Sequence, residues 1–184
     1  HYWKIAADKG DIGSMKKYAE MLKKGDDIVI DTDESFKYYE KAADKGDIES
    51  MKEYCSIIVT PFIGHKYDKQ CLYCKILADN GDPEYMFIYS ILTCQDKPTE
   101  SENYLKNAAE NGNVTAMYHY SSVLRNGFYE KVDQQLSEYY FNLANSKEDT
   151  KAMCEYSKYI FLLNSRILLS SRNKKIPGYI DYYK

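Results

Sequence analysis

A short block of sequence recurs along this chain at nearly constant spacing. In its clearest copies, two alanines precede a Gly-Asp turn, and a methionine and a tyrosine follow that turn. One alanine is present in every copy, and the five positions are Ala7, Ala43, Ala78, Ala109 and Ala144. Consecutive copies are therefore 36, 35, 31 and 35 residues apart. A period of this size predicts a stacked array of helical repeats, in which each unit buries its apolar face against its neighbours.

Each repeat is predicted to contain two helices, which we call A and B. Helix A follows the Gly-Asp turn, where Gly10 suits the left-handed residue that ends one helix and Asp11 suits the cap of the next. Pro83 directly after Asp82 supports the same boundary, because proline is tolerated at the first position of a helix. The apolar residues of helix A then recur at the spacing of one helical face.

Helix B is predicted to begin at a capping residue in each repeat, namely near Asp33, Asp68, Thr99 and Asp133. Thr99 with Glu102 three residues later has the form of a capping box. A tyrosine precedes the recurring alanine by five residues in every copy, as Tyr38 precedes Ala43. Most of the 20 tyrosines are therefore expected to fill the layers between helices, with hydrogen-bond partners for buried hydroxyls.

This pattern resembles the Sel1-like repeat family, a relative of the tetratricopeptide repeats. The family's unit has a glycine turn, a small residue, a Leu-Gly pair, an aromatic, a second glycine, an aromatic pair and Ala-Ala before the next glycine. In this chain these places are held, with tyrosine where leucine is usual, by Gly10, Ser14, Tyr18-Ala19, Leu22, Gly25, Tyr38-Tyr39, Ala42-Ala43 and Gly46. The resemblance implies an all-α fold, a right-handed α/α superhelix of about four to five helix-turn-helix repeats that binds other proteins. It spans residues 1–163, and residues 164–184 are predicted to form a C-terminal cap helix and tail.

If helix A lines the concave side, as in related repeats, one residue set faces the groove and is the predicted partner-binding site. Its members are Lys16, Glu20, Lys23, Lys52, Ser56, Phe87, Ile91, Tyr118, Ser122, Arg125, Lys158 and Phe161. Exposed aromatic residues beside an arginine are typical of binding hot spots. The alternative is that Phe87, Ile91 and Tyr118 pack inside the array, because the sequence does not fix the rotation of each helix.

Composition argues against several classes of partner. The net charge is −3 and the pI is near 5.7, so the chain has no basic footprint for nucleic acid. No apolar run of about 18 residues is present, so no direct membrane insertion is expected. The five cysteines do not recur at one repeat position, which favours free thiols in a reducing compartment, and a cytoplasmic location is expected.

The sequence offers little support for catalysis. Cys71 and Cys74 form one Cys-x-x-Cys pair, with His65 nearby, but a zinc site needs four such ligands and no second pair exists. Neither His65 nor His119 has an evident orienting carboxylate and oxyanion donor that would activate a cysteine nucleophile. No phosphate-binding glycine loop is present. We therefore expect no metal, no cofactor and no enzymatic activity.

The function predicted from these features is a non-catalytic scaffold or adaptor that binds a peptide or a partner domain. One alternative is a regulatory repeat arm of a larger enzyme, for example a kinase or a component of a ubiquitin-ligase complex. A second is a small-molecule hydrolase like those suggested for cysteine-rich relatives, which pair two cysteines in each unit as this chain does not. Because the chain enters in mid-repeat at His1, a fragment of a longer protein is expected, and its oligomeric state and partner stay open.

Overall fold

The computed structural model of the chain describes residues 2–56, 64–129 and 132–150, without the side chains of residues 64–67. Those residues form nine α-helices and no strand. The helices are α1 (Tyr2–Asp8), α2 (Ile12–Lys24), α3 (Thr32–Asp44), α4 (Ile48–Ser56), α5 (Gly64–Asp79), α6 (Pro83–Thr93), α7 (Pro98–Glu110), α8 (Val114–Asn126) and α9 (Gln134–Asn145). The predicted all-α helical repeat is confirmed. The predicted array end at residue 163 and the cap and tail over 164–184 lie outside the described residues.

The A helices, which are α2, α4, α6 and α8, begin where the turn pattern predicts. Asp11 before α2, Asp82 before α6 and Asn113 before α8 each accept a hydrogen bond from a first-turn backbone N–H over 2.7–3.1 Å. Pro83 occupies the first turn of α6. Gly10 has a φ of 98°, a conformation that side chains with a Cβ avoid. Local sequence therefore determines where these helices start.

Two predicted starts of B helices are wrong. Helix α5 begins at Gly64 rather than near Asp68, and α7 begins at Pro98 rather than at Thr99. Proline is favoured in the first turn, so Thr99 lies inside α7. The residue at the N-cap of α7 is Lys97, which makes no capping hydrogen bond through its side chain.

The chain divides into two compact units, His1–Leu77 and Ala78–Lys184, which we describe separately. The recurring alanines of both units are at most 1% exposed, so neighbouring helices approach closely at these positions. The core of the first unit contains Ala7, Met15, Tyr18, Ala19, Leu22, Tyr38, Tyr39 and Ala42. The core of the second unit includes Phe87, Ile91, Leu105, Ala108, Ala109, Met117, Tyr118, Tyr120, Leu124, Tyr140 and Ala144.

Hydrogen bonds between tyrosine and aspartate connect consecutive B helices. In each, a tyrosine hydroxyl donates to the aspartate near the end of the preceding B helix. The pairs are Tyr38 with Asp8, Tyr73 with Asp44 and Tyr104 with Asp79. Each of these aspartates therefore binds a tyrosine of the following repeat.

A second recurring bond joins the two helices of one repeat. A serine in the first turn of helix B donates through Oγ to a backbone carbonyl of the preceding helix A, over 2.6–2.8 Å. The pairs are Ser35 with Ala19, Ser101 with Ser90, and Ser137 with Ser121. Gln70 takes the serine's place in α5, is 2% exposed, and its Oε1 has no hydrogen-bond partner among the described residues. In three repeats the two helices are thus fixed in register by a buried serine side chain.

Edge-to-face contacts between an A-helix and a B-helix tyrosine complete the pattern. Ring centroids lie 4.8–5.1 Å apart in Tyr18 with Tyr38, Tyr54 with Tyr73, Tyr89 with Tyr104 and Tyr120 with Tyr140. The last pair uses Tyr140, whereas the sequence alignment of the repeats favoured Tyr139, which is 58% exposed. The alignment is therefore wrong by one residue in α9.

Candidate protein-binding surface

Two A helices of the first unit face each other through charged side chains. Lys16 Nζ lies 3.2 Å from Oδ1 of Asp47, the residue preceding α4. Lys23 Nζ lies 2.7 Å from Oε2 of Glu53 within α4. Both lysines belong to the predicted groove set and lie on α2. The neighbouring A helices α2 and α4 are therefore connected by ion pairs on the side that carries these lysines.

The other predicted residues of this unit are also at the surface. Glu20 pairs with Lys24 at 2.5 Å and with Lys17 at 3.5 Å. The hydrogen bond from Lys24, followed by the attraction of Lys17, lowers the pKa of Glu20. Lys52 is half-buried, and Ser56 is exposed and donates to the backbone oxygen of Glu53 over 2.9 Å. We call Lys16, Glu20, Lys23, Lys52 and Ser56 the charged surface.

The opposite faces of the same helices are buried. Met15, Tyr18 and Leu22 anchor α2, and Met51 and Tyr54 anchor α4, each with no more than 9% exposure. Long charged side chains consequently project from two helices whose rotation is fixed by packing. A polypeptide lying across them would meet alternating positive and negative groups already held in place.

In the second unit three predicted groove residues are buried. Phe87 is 2% exposed, Tyr118 6% and Ile91 9%, and all three belong to that unit's core. The Phe87 ring packs edge-on against His119 at 5.9 Å, and the Tyr118 hydroxyl donates to Oδ1 of Asn145 over 3.0 Å. The structure thus favours the packing alternative for these side chains. Neighbouring helices offer Phe87 and Tyr118 buried partners, whereas Lys16, at the equivalent position of the first unit, pairs with Asp47 at the surface.

Of the remaining predicted residues of this unit, Arg125 lies against an exposed ring. Arg125 is exposed, and its guanidinium carbon lies 5.8 Å from the ring centroid of Phe141, which is 41% exposed. Ser122 is half-buried on the same helix as Arg125. We call Ser122, Arg125 and Phe141 the arginine patch. Lys158 and Phe161, the last two predicted residues, lie outside the described residues.

Sequence reasoning missed three contributors to these surfaces. Asp47 and Glu53 were not among the predicted site residues, although they pair with Lys16 and Lys23, 31 and 30 residues earlier. Opposite charges one repeat length apart are the signal that identifies such pairs. Phe141 was missed because the predicted site was taken from A helices, whereas Phe141 lies on α9, a B helix.

The described residues provide no metal centre. Among them, no group of three or more His, Cys, Asp or Glu side chains is placed to hold a metal ion. Cys55 and Cys74 are buried, with their sulfur atoms 3.0 Å apart. His119 is fully buried, and this burial lowers its pKa to about 4, so the imidazole is neutral at pH 7. No helix in this part of the chain is both long and apolar enough to cross a membrane.

Comparison with a model of the Sel1 repeat family gives two matches, at residues 13–47 and 114–149. These segments cover α2 with α3 and α8 with α9, which are two of the three helix pairs joined by the serine bonds. The chain contains Sel1-like repeats. The resemblance inferred from the repeated block is thereby confirmed, and protein binding is the usual role of this family.

Solved structures show the same Sel1-like repeat fold. A Sel1 repeat protein from Oxalobacter formigenes superimposes with a TM-score of 0.67 at 20% identity, over 96% of this chain and 50% of that one. A protective antigen of uropathogenic Escherichia coli strains with an SLR fold gives a TM-score of 0.57 at 15% identity, over 95% and 43%. The chain therefore spans half or less of the length of these structures. A comparison with curated proteins finds no match.

Proposed function

We propose that this chain is a non-catalytic scaffold that binds a protein or peptide partner across its A helices. The observation that carries the proposal is the charged surface of the first unit, where the ion pairs of Lys16 and Lys23 connect α2 with α4. The opposite faces of its helices are buried in the core, so the helices are already ordered and lose little conformational entropy when a partner binds. The usual role of the repeat family supports the same conclusion.

The lysines and acidic residues of this surface can exchange their mutual ion pairs for ion pairs with charged groups of a partner. The side chain of Lys23 is 44% exposed and that of Glu53 is 32% exposed. Pairs with this exposure contribute about 0–1 kcal/mol to folding, so replacing one partner by an external carboxylate or ammonium group costs little. Binding here is expected to depend on geometry and salt rather than on apolar burial.

The arginine patch of the second unit is the other proposed contact. Arginine and exposed aromatic rings are enriched among residues that dominate binding energies, and the stacked guanidinium of Arg125 keeps its N–H donors available at its edge. Since Phe87, Ile91 and Tyr118 are buried, the proposed site in this unit consists of Ser122, Arg125 and Phe141.

Charge reversal tests the charged surface. Partners recovered by affinity purification with the unchanged chain are quantified against Lys23→Glu, with Lys37→Glu as matched control because Lys37 is an exposed lysine on a B helix, α3. We expect Lys23→Glu to lower recovery of a specific partner about tenfold, which corresponds to about 1.4 kcal/mol. Equal recovery with both variants would remove the charged surface from the proposal. Arg125→Ala tests the arginine patch in the same assay.

A further inference from the structure

Two buried thiols meet between the helices of one repeat. Cys55 lies near the end of α4 and Cys74 lies in α5, and their Sγ atoms are 3.0 Å apart. Cys55 is 4% exposed and Cys74 is 0% exposed. The contact joins an A helix to the following B helix.

The thiols are held together by the packing around them. Tyr54 and Tyr73, the residues directly before the two cysteines, pack edge to face with centroids 5.0 Å apart and planes at 88°. Both tyrosines are at most 2% exposed, so the register between α4 and α5 is fixed immediately beside the sulfur atoms.

The pair occurs in one repeat of the array. The residues at the position of Cys55 in the other repeats are Ala19, Ser90 and Ser121, and those at the position of Cys74 are Tyr39, Leu105 and Phe141. None of these carries a thiol. The approach of two sulfur atoms therefore does not follow from the repeat pattern and, within the described part of the chain, is confined to the second repeat.

We propose that Cys55 and Cys74 are an oxidisable dithiol that forms a reversible disulfide between α4 and α5 when the protein meets a low-molecular-weight disulfide. A sulfur–sulfur bond is about 2.0 Å long, so the two atoms need to approach by only about 1 Å. The distance is short enough that side-chain rotation, with little movement of the helices, brings them together.

The reaction is two thiol–disulfide exchanges. One cysteine thiolate attacks the small disulfide, forms a mixed disulfide with half of it and releases the other half as a thiolate. The second cysteine then attacks the protein sulfur of that mixed disulfide and releases the remaining half. Two protein thiols are oxidised, one small disulfide is reduced to two thiols, and the protons of the cysteines pass to those products.

Burial controls the rate of this exchange. The hydrogen bond with Cys55, followed by burial, raises the pKa of the Cys74 thiol, so little thiolate is present at neutral pH. Cys71, one turn earlier on α5, is half-buried. We expect Cys71 and Cys94 to react with a thiol reagent in the native protein before Cys55 and Cys74 do.

The disulfide would enclose the chain between the two cysteines, which includes the whole link from α4 to α5. Closing a loop of nearly 20 residues restricts the unfolded chain. For a protein of this size we expect the unfolding temperature to rise by about 5–10 °C on oxidation and to return on reduction with dithiothreitol.

The experiment treats the chain with oxidised glutathione and maps its tryptic peptides. Cleavage after Lys66 and Lys69 separates Cys55 from the peptide that holds both Cys71 and Cys74. The mapping is therefore repeated on Cys71→Ser, in which a crosslink to Cys55 is assigned to Cys74 without ambiguity. We expect this crosslink in both proteins, together with the rise in unfolding temperature.

Cys55→Ser and Cys94→Ser provide the matched comparison. Cys94→Ser should keep the crosslink and the temperature rise, and Cys55→Ser should lose both. A bond between Cys71 and Cys74 as the main product, or a Cys55 thiol that remains reduced in the unchanged chain, would overturn the proposal. An equal temperature rise in Cys55→Ser would do the same. Because mapping of the unchanged chain needs no variant, the test does not depend on the folding of Cys55→Ser.

Discussion

The phenol of Tyr38 donates a 2.5 Å hydrogen bond to Oδ1 of Asp8, 30 residues earlier in the chain. Burial, followed by this bond, raises the pKa of Tyr38 above its ordinary value. The ring is 4% exposed while the carboxylate lies at the surface. The tyrosine ring is thus packed in the core while its hydroxyl binds an aspartate at the surface. This hydrogen bond joins one repeat to the next.

Removing this hydroxyl is expected to destabilise the first unit. Tyr38→Phe should lower the free energy of unfolding by about 1 kcal/mol, at the low end for a bond to a charged acceptor because Asp8 is exposed. The measurement is urea denaturation followed by circular dichroism. Tyr39→Phe is the control, since Tyr39 is equally buried and has no hydrogen-bond partner among the described residues. An equal loss in the two variants would contradict the role of the bond.

Two turn glycines should respond differently to alanine. Gly46 has a φ of 88° and open space around its Cα, so Gly46→Ala should cost about 1–2 kcal/mol from backbone strain alone. Gly25 has a φ of 82°, and an added Cβ would lie 2.8 Å from Cγ1 of Ile30. Gly25→Ala should therefore cost the same strain plus the displacement of that side chain. Thermal unfolding of the two variants measures the difference, and a smaller loss for Gly25→Ala would refute it.

The buried serine bonds predict a large effect from a small change. Ser101→Ala removes the bond from Oγ to the backbone oxygen of Ser90, 2.7 Å long and buried. The carbonyl then loses a donor away from water, so we expect a loss of about 1–3 kcal/mol. Ser146→Ala is the matched control, because its Oγ also donates to a helical carbonyl, that of Leu143, but at an exposed site. Chemical denaturation should show little change in the control.

Acid should destabilise the protein through His119. Burial holds its pKa at about 4 in the folded chain, against 6.5 as the ordinary value, so the unfolded chain binds the proton first as the pH falls. The folded state should thus lose stability progressively between pH 6.5 and pH 4, by about 3 kcal/mol in total.

His119→Gln provides the comparison for that pH dependence. Glutamine does not titrate, so the variant should lose less stability than the unchanged chain between pH 7 and pH 4, whatever the remaining groups contribute to both. The measurement is the midpoint of urea denaturation at several pH values. Parallel pH profiles for the two proteins would show that the burial of His119 does not control acid stability.

Local signals predicted the helix starts well where one residue decides the geometry. Asp11 caps α2 and Pro83 begins α6 through contacts within the same turn, so the sequence around each residue is enough to predict its role. Thr99 shows the limit of this reasoning. It has the form of a capping residue, but the preceding proline begins the helix and places the threonine inside it.

The side chains of the predicted groove depend on neighbours that are distant in sequence. Lys16 and Phe87 occupy the same position of the repeat, yet Lys16 pairs with an acid at the surface and Phe87 is buried against His119. The difference arises from which side chains the next repeat presents. The period of the sequence thus predicts the stacking of helices, but not which residues of helix A remain accessible.

The aspartates at the ends of α1, α3 and α5 also determine where this chain can be shortened. A fragment that ends just before Tyr73 would remove the tyrosine donor of Asp44 and leave it the bond from Lys69. One that starts just after Asp44 would leave the buried Tyr73 without this acceptor. Segment boundaries chosen at the turns therefore separate partners that belong together. A minimal piece of this protein has to overlap two repeats, because the contacts that define one repeat are completed by the next.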